Sequence, residues 1–245
     1  MKKQLGFTLI EIMIALLLGL IVVGAIVNIY VATVSSSSGI IRSTRLNHDL
    51  DAVMTLMIND IKRAGYWERA NVVADSRVNP FTMATTNIQI PAATCILYSY
   101  DADGDGTVDS NEYYGFKLED NSIKMRKTGA TTANCDDGTW EEFVDGTQLT
   151  ITALTFSFAP IDVNMDGDVL DGVDLPAASR CLNVTTGIST DTAPTACTAA
   201  AAGANLAEKR LVNILLAGQL KSEGAVIKTL SGTIEVRNNR LLTQP

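Results

Sequence analysis

Histidine is almost absent from this sequence, since His48 is the only one among 245 residues. Zinc sites and acid–base catalysis near neutral pH both rely heavily on imidazole. His48 also falls in a predicted helix, on its solvated side, where no nucleophile and third orienting group accompany it. The composition therefore argues against a histidine-dependent hydrolase, and the chain is expected not to be an enzyme.

Basic residues are scarce relative to acidic ones, with 19 Lys and Arg against 27 Asp and Glu and a net charge of -8. An acidic surface repels phosphate backbones, so nucleic acid is excluded as a partner. Several of the acids are concentrated in short segments, which points instead to divalent cations.

No pair of cysteines is spaced as CxxC, so zinc ribbons and thioredoxin-like redox chemistry lack support. Four cysteines allow three pairings, and proximity in sequence favours Cys95–Cys135 and Cys181–Cys197 over the other two. All four follow the long apolar segment described next. If that segment is a membrane anchor, the cysteines lie outside the cytoplasm, where disulfides persist. Free buried thiols are the alternative.

Charged residues are missing from residues 12–41. A helix crosses the hydrocarbon core with roughly 20 apolar residues, so this segment is long enough to span a membrane once. Lys2 and Lys3 precede it and predict a cytoplasmic N-terminus. A secretory signal normally has a shorter apolar region of about 7–15 residues, although small residues near Ala32 keep cleavage there as an alternative.

One carboxylate, Glu11, lies near the start of the apolar segment. An unpaired charge at that depth costs several kcal/mol, so Glu11 is a functional candidate. A side chain that reaches the headgroup region is the simpler alternative.

The string Gly6-Phe7-Thr8-Leu9-Ile10-Glu11 resembles the processing motif of type IV prepilins and type II secretion pseudopilins. The resemblance implies a leader at residues 1–6, which prepilin peptidase cuts between Gly6 and Phe7. It also implies N-methylation of Phe7 and a role for Glu11 in assembly. There the Glu11 carboxylate would meet the new amine of a neighbouring subunit, because an unpaired charge in low dielectric is penalised.

An amphipathic stripe continues the helix beyond the apolar segment. Its spacings of four, four, three and four are helical, and its members are Leu46, Leu50, Met54, Met57 and Ile61. Gly65 is the predicted stop, so a helix is expected over residues 7–65 and a globular head over residues 66–245.

The head is predicted to consist of short strands separated by Gly, Asn and Asp. The expected strands are Asn87–Ile90, Cys95–Tyr100, Glu112–Leu118, Ser122–Arg126, Gln148–Phe158, Arg210–Leu220 and Ala225–Val236. Strands and helices do not alternate, so the fold class is α+β, with the long N-terminal helix packed on an antiparallel sheet as in pilins. Residues 185–205, rich in Ala, Thr and Ser, are predicted to form a long surface loop.

The segment from Asp101 to Glu112 matches every ligand position of the twelve-residue EF-hand calcium loop. The predicted ligands are Asp101, Asp103, Asp105, the Thr107 carbonyl, Asp109 and Glu112, with Gly106 at the sharp turn. Its flanks are predicted strands and not helices, so a bound Ca²⁺ would staple two strands together. A solvated Asp/Gly turn is the alternative.

A second acidic segment fits only the first half of the same pattern, because Val173 stands where the bidentate glutamate belongs. Its ligands, as a weaker calcium site, would be Asp162, Asn164, Asp166, Asp168, Asp171 and Asp174.

The helix ending in Asn59–Tyr66, the strand entering a calcium-type loop and the C-terminal Glu235–Leu241 together resemble the PilW-like minor pilins of type IV pilus assembly. The resemblance implies an inner-membrane protein with a single span and a periplasmic head, which reaches the cell surface in the pilus. The implied partners are other minor pilins, the major pilin and a tip adhesin.

Two other functions remain as alternatives. The J-type minor pseudopilin of type II secretion shares the plan of a helix and a sheet. A membrane-anchored calcium-binding receptor or adhesion module belongs to a different class, and it would not need the arrangement of Gly6, Phe7 and Glu11.

Overall fold

The computed structural model describes residues 7–71, 78–144, 149–158, 180–185, 195–196, 202–221 and 223–243. Within this part the chain has one long apolar helix and antiparallel sheets, so the predicted α+β class is confirmed. The chain divides into two compact units, Met1–Arg45 and Leu46–Pro245, and helix α1 (Leu9–Ile61) belongs to both.

The first unit contains the apolar part of α1, which is long and apolar enough to cross a membrane. Its large side chains are exposed to at least about half of their area. Polar side chains in this part donate hydrogen bonds to the backbone of the same helix. The Asn28 side-chain amide donates to the Gly24 carbonyl and the Thr33 hydroxyl to the Ile29 carbonyl, both at 2.8 Å. Such internal bonds suit a segment that water does not solvate.

In the second unit α1 buries the predicted stripe, Leu46, Leu50, Met54, Met57 and Ile61, together with Val53. The helix ends at Ile61, four residues before the predicted stop at Gly65. Gly65 has a φ of +75°, and its amide donates to the Ser99 carbonyl at 2.8 Å. The chain therefore leaves the helix through a glycine turn that ties it to the head.

The first sheet has five strands in the order of the chain, all antiparallel. They are β1 (Gln89–Ala92), β2 (Cys95–Ser99), β3 (Tyr113–Glu119), β4 (Ser122–Thr128) and β5 (Thr139–Glu142).

Two smaller antiparallel sheets complete the head. One has the order β11-β10-β6, from β6 (Leu149–Phe158), β10 (Leu211–Leu220) and β11 (Glu223–Glu235). The other has the order β12-β9-β7-β8, from β7 (Arg180–Asn183), β8 (Thr195–Ala196), β9 (Asn205–Lys209) and β12 (Arg240–Thr243).

All seven predicted strands correspond to observed ones within a few residues, but β5, β7, β8, β9 and β12 were not predicted. The expected loop at residues 185–205 is corrected where it contains β8 and the first residue of β9. These strands are short. Charged residues interrupt β9 at Glu208 and β12 at Arg240, so neither strand shows the alternation of apolar and polar residues that predicts a strand. Their pairing partners lie far away in the sequence.

The core lies where the second half of α1 meets the first two sheets. Its buried side chains come from the helix stripe, from β2, β3 and β4, and from β6, β10 and β11. Apolar burial of this extent is the main term that holds a domain of this size together.

A carboxylate fastens the last turn of α1 to β2. Both Asp60 oxygens accept hydrogen bonds from tyrosine hydroxyls, Tyr98 at 2.6 Å and Tyr100 at 2.9 Å. The Arg63 guanidinium lies 4.0 Å from the centre of the Tyr100 ring and donates to its hydroxyl at 3.1 Å. Burial, followed by the Asp60 charge, raises the pKa of both tyrosines, so they remain neutral donors.

The C-terminal segment closes on the same end of the helix. The side-chain amide of Asn238 donates to the backbone carbonyls of Arg63 at 3.1 Å and Ala64 at 3.3 Å. The backbone amide of Arg237 donates to the Lys62 carbonyl at 3.2 Å. These bonds satisfy the carbonyls of the turn that follows the helix.

Candidate functional sites

The N-terminal motif meets the described chain at Phe7, which is 81 % exposed. The cleavage position at Gly6 and the leader lie outside the described residues. Helix α1 begins at Leu9, and the Thr8 carbonyl accepts hydrogen bonds from the amides of Glu11 at 3.1 Å and Ile12 at 3.3 Å. Thr8 is therefore the residue at which the helix starts.

Glu11 lies in the first turn of α1, and the Thr8 hydroxyl is 3.5 Å from its carboxylate. The spacing Thr8-x-x-Glu11 is that of a capping box, a local signal that the sequence interpretation missed. A carboxylate in the first turn is also favoured by the helix dipole. Among the ion pairs of the described residues, none involves Glu11.

The acidic loop joins β2 to β3, as predicted, and so replaces the helices of an EF-hand by strands. Carboxylate oxygens of Asp101, Asp103 and Asp105 lie within 4.8 Å of one another. Gly106 has a φ of +78°, which a residue with a side chain rarely adopts, and this produces the sharp turn.

Two of the loop carboxylates, Asp101 and Glu112, are 1 % exposed. The Glu112 oxygens accept hydrogen bonds from the amides of Ala102 at 2.7 Å and Asp109 at 3.0 Å, which holds the two ends of the loop together. Burial raises the pKa of Glu112, and the charges of Asp101 and Asp103 act in the same direction. A negative cluster of this kind is costly without a cation.

The outer part of the loop is more open. Asp105 accepts hydrogen bonds at 2.7 Å from both the amide and the hydroxyl of Thr107, and these bonds lower the pKa of its carboxyl group. The Asp105 amide in turn donates to Asp103 at 3.1 Å.

Residues just after the helix hold the loop from outside, which the sequence interpretation missed. The Asp101 carboxylate accepts from the Glu68 amide at 3.1 Å, and the Asp101 amide donates to the Tyr66 carbonyl at 3.0 Å. The Trp67 indole donates to the Gly106 carbonyl at 3.2 Å. No spacing in the sequence connects these residues, which are more than thirty positions apart.

A cleft of about 420 Å³ lies beside the loop. Lys62, Arg63 and Arg237 contribute positive charge to its lining, and Asp101 and Asp103 contribute negative charge. His48 is not part of it, since its ring is 81 % exposed and contacts Asp49 at 3.3 Å.

A disulfide joins Cys95 to Cys135, one of the two favoured pairings. It fixes the loop between β4 and β5 to the start of β2. The loop is organised around the buried Arg126, which donates to the carbonyls of Thr128 at 3.0 Å and Thr131 at 2.7 Å and pairs with Asp137.

Two predicted sites cannot be placed. The second acidic segment, from Asp162 to Asp174, lies outside the described residues, and so does Cys197 of the predicted Cys181–Cys197 bond.

A membrane-length N-terminal helix with a glutamate in its first turn, joined to an antiparallel β-sheet head, defines a type IV pilin-like protein. Residues 1–27 match the model of the prokaryotic N-terminal methylation motif. Residues 39–236 match the family model of prepilin peptidase-dependent protein B, and this match covers most of the chain. The chain therefore belongs to the family of prepilin peptidase-dependent protein B. No match was found among curated proteins or among solved structures.

Proposed function

We propose that this protein is a minor pilin of a type IV pilus, which takes part in initiating the filament through its N-terminal helix. The observation that carries this proposal is the first half of α1, where exposed apolar side chains follow a carboxylate, Glu11, that forms no ion pair with the described residues. Such a surface needs lipid or other apolar helices around it. The role is structural and not catalytic.

The Glu11 carboxylate gives the helix a means of setting its position among neighbours. After cleavage at Gly6, the amine of Phe7 in one subunit can pair with Glu11 of the next. A buried charge without its partner costs several kcal/mol, so assembly favours the arrangement in which every pair is made. N-methylation of Phe7 keeps this amine positively charged.

The head supports a low-abundance role outside the cytoplasm. It is elaborate, with three sheets among the described residues, and it contains a disulfide, which persists in an oxidising compartment. We place the protein in the inner membrane with a periplasmic head and, after assembly, in the pilus. Its proposed partners are prepilin peptidase, other minor pilins, the major pilin and a tip adhesin.

The test is a deletion strain complemented with the parent gene or with Glu11→Ala. We expect the deletion to lower the number of surface pili and the parent gene to restore it. Glu11→Ala should leave N-terminal processing intact, with a mature mass that begins at methylated Phe7, but should restore few pili because the Phe7 amine of a neighbour is left unpaired. Electron microscopy and intact mass measure the two effects.

Glu11→Gln provides the matched control, since it keeps the shape and removes only the charge, and it should behave like Glu11→Ala. Full piliation by either variant would contradict the proposed pairing. A deletion that spares pili but blocks protein secretion would support the J-type pseudopilin instead.

We further propose that the loop from Asp101 to Glu112 binds Ca²⁺. The residues fit such an ion, because calcium prefers six to eight hard oxygen ligands. Asp101, Asp103 and Asp105 already converge. In the sequence, Thr107, Asp109 and Glu112 stand at the remaining ligand positions of the motif. A bound ion would supply the positive charge that the buried acids lack. The segment from Asp162 to Asp174 remains a candidate for a second, weaker site.

Calorimetric titration of the full chain with Ca²⁺ tests this proposal. We expect saturable binding that Asp103→Asn weakens at least tenfold, since the amide keeps the hydrogen bond from the Asp105 amide but loses the charge. The control is Asp120→Asn, which removes one carboxylate from the exposed turn after β3. Equal Ca²⁺ affinity of Asp103→Asn and Asp120→Asn would contradict the proposed calcium site.

A further inference from the structure

The basic residues of the cleft beside the acidic loop come from two distant parts of the chain. Lys62 and Arg63 follow the last residue of α1, and Arg237 belongs to the C-terminal segment. The hydrogen bond from the Arg237 amide to the Lys62 carbonyl holds these two segments side by side. Three positive charges therefore line one cleft of a chain whose net charge is -8.

The backbone that carries Arg237 is fixed on both sides of this residue. Before Arg237, the Val236 amide donates to the Arg210 carbonyl at 2.9 Å. After it, the side chain of Asn238 is bonded to two carbonyls of the turn that follows the helix. The Arg237 side chain is exposed on this fixed backbone, so only the side chain has to be ordered when it binds a partner.

The acidic residues of the cleft lie on the loop and beside it. Asp101 and Asp103 belong to the loop, and Glu68 comes from the turn after the helix. The Glu68 carboxylate lies against the loop, because a Cβ added at Gly104 would overlap it.

The basic and acidic residues of the cleft do not close it by pairing with each other. Among the ion pairs of the described residues, none involves Lys62, Arg63 or Arg237. The volume of about 420 Å³ that separates them is within the range of roughly 300–1,000 Å³ typical of ligand sites. The cleft therefore has room for side chains of another molecule.

The charge of the cleft lining depends on whether the loop holds a cation. Three basic and three acidic residues cancel when no ion is bound. A bound Ca²⁺ would add two positive charges beside the cleft, whatever the other acids of the loop contribute. Since a cleft concentrates the field of the charges that line it, a carboxylate would then be attracted.

We propose that this cleft is a docking site for an acidic segment of a partner protein. Carboxylates of that segment pair with Lys62 and Arg237, and Ca²⁺ in the acidic loop strengthens the binding. The second part rests on the proposed calcium site.

The composition of the cleft favours a protein segment as the occupant. Lysine and arginine form charge-assisted hydrogen bonds with carboxylates. Tyr66, which is 41 % exposed, also lines the cleft, and tyrosine and arginine are enriched where proteins bind one another. A long polyanion such as nucleic acid would instead meet the acidic surface of the rest of the chain.

The test is fluorescence anisotropy of a rhodamine-labelled peptide of alternating Asp and Gly, added to the full chain in detergent. Both peptide ends are blocked, so binding reports side-chain carboxylates and not a free C-terminus. We expect saturable binding in Ca²⁺ that is at least about tenfold weaker in a chelator and that weakens as salt is added. A peptide of alternating Asn and Gly should not bind.

Replacement of the basic residues tests the docking site itself. Arg237→Gln and Lys62→Gln should each weaken peptide binding in Ca²⁺ by about fivefold, because each removes one cation and leaves the backbone hydrogen bond in place. Lys228→Gln is the matched control, since it removes a cation of β11 that does not line the cleft. All three variants should bind Ca²⁺ at least as tightly as the parent in calorimetry.

Asp105→Asn tests the contribution of calcium. Asp105 is a predicted ligand that does not line the cleft, and the amide oxygen can still accept from Thr107. At a Ca²⁺ concentration that saturates only the parent, this variant should bind the peptide as weakly as the parent does in a chelator.

The outcomes separate the docking site from the calcium site. A parent chain that binds Ca²⁺ but not the acidic peptide would overturn the docking site and leave the calcium site standing. Equal peptide affinity of Arg237→Gln and Lys228→Gln, or binding of the Asn peptide, would overturn the docking site as well. Peptide binding that Ca²⁺ does not change would overturn the proposed role of the ion.

Discussion

Asp60 has more influence on the head than its place in the last turn of a helix suggests. It accepts hydrogen bonds from the hydroxyls of Tyr98 in β2 and of Tyr100 just after it, and Tyr98 is completely buried. Buried hydroxyls need an acceptor, because an unsatisfied one costs roughly 1–3 kcal/mol. This carboxylate therefore helps to fix the end of α1 against the sheet.

Replacement of this carboxylate should be costly. We expect Asp60→Ala to lower the free energy of unfolding by about 2–4 kcal/mol, because both tyrosine hydroxyls lose their acceptor. Urea unfolding followed by the fluorescence of the buried Trp67 measures the change.

Asp51→Ala is the matched control on an exposed position of the same helix and should change the stability by less than about 0.5 kcal/mol. In a double-mutant cycle, Tyr98→Phe should reduce the cost of Asp60→Ala, because one hydroxyl no longer needs an acceptor. Additive losses would show that the two side chains do not interact.

Among the structural elements, the loop between β4 and β5 depends most on a covalent bond. Its residues reach the rest of the head through the Gly129 amide, which donates to the Ser110 carbonyl, and the Thr132 amide, which donates to the Thr85 carbonyl, both at 2.8 Å. The bond between Cys95 and Cys135, which are 40 residues apart, fixes this loop to the start of β2.

We expect Cys95→Ser/Cys135→Ser to lower the free energy of unfolding by about 2–5 kcal/mol, chiefly because the unfolded chain gains freedom. Denaturant unfolding without reductant measures this loss. The parent chain in the presence of reductant should approach the stability of the variant. A variant as stable as the oxidised parent would mean that the hydrogen bonds of the loop suffice without the disulfide.

The elements that the sequence predicts are those with a local signal. The helix stripe, the processing motif and the twelve-residue acidic loop each lie within one continuous segment. Other features depend on contacts between residues more than thirty positions apart. They are the pairing of β9 with β12 and the hydrogen bonds of Tyr66, Trp67 and Glu68 with the acidic loop. Their side chains are ordinary at the local level, so no periodicity or spacing distinguishes them.

At the scale of the whole molecule, the acidic loop contacts both the residues after the helix and the first sheet. We therefore expect the loss of a bound cation to lower the stability of the whole head. At a hundredfold excess over its Kd, a ligand that binds only the folded state stabilises it by about 2.7 kcal/mol. For a domain of this size that is roughly 5–10 °C in Tm. A chelator should remove this gain from the parent and from Asp120→Asn, but not from Asp103→Asn.

The closure of Asn238 on the carbonyls of Arg63 and Ala64 has a consequence for how the protein is made. Ribosomes add roughly 5–20 residues per second, so Asn238 follows Arg63 by about 9–35 s. Throughout that interval the end of the helix lacks its final partner, and the nascent head is open to chaperones and proteases. A chain truncated before Asn238 cannot form these bonds, and we expect it to be less stable and more readily degraded than the full chain.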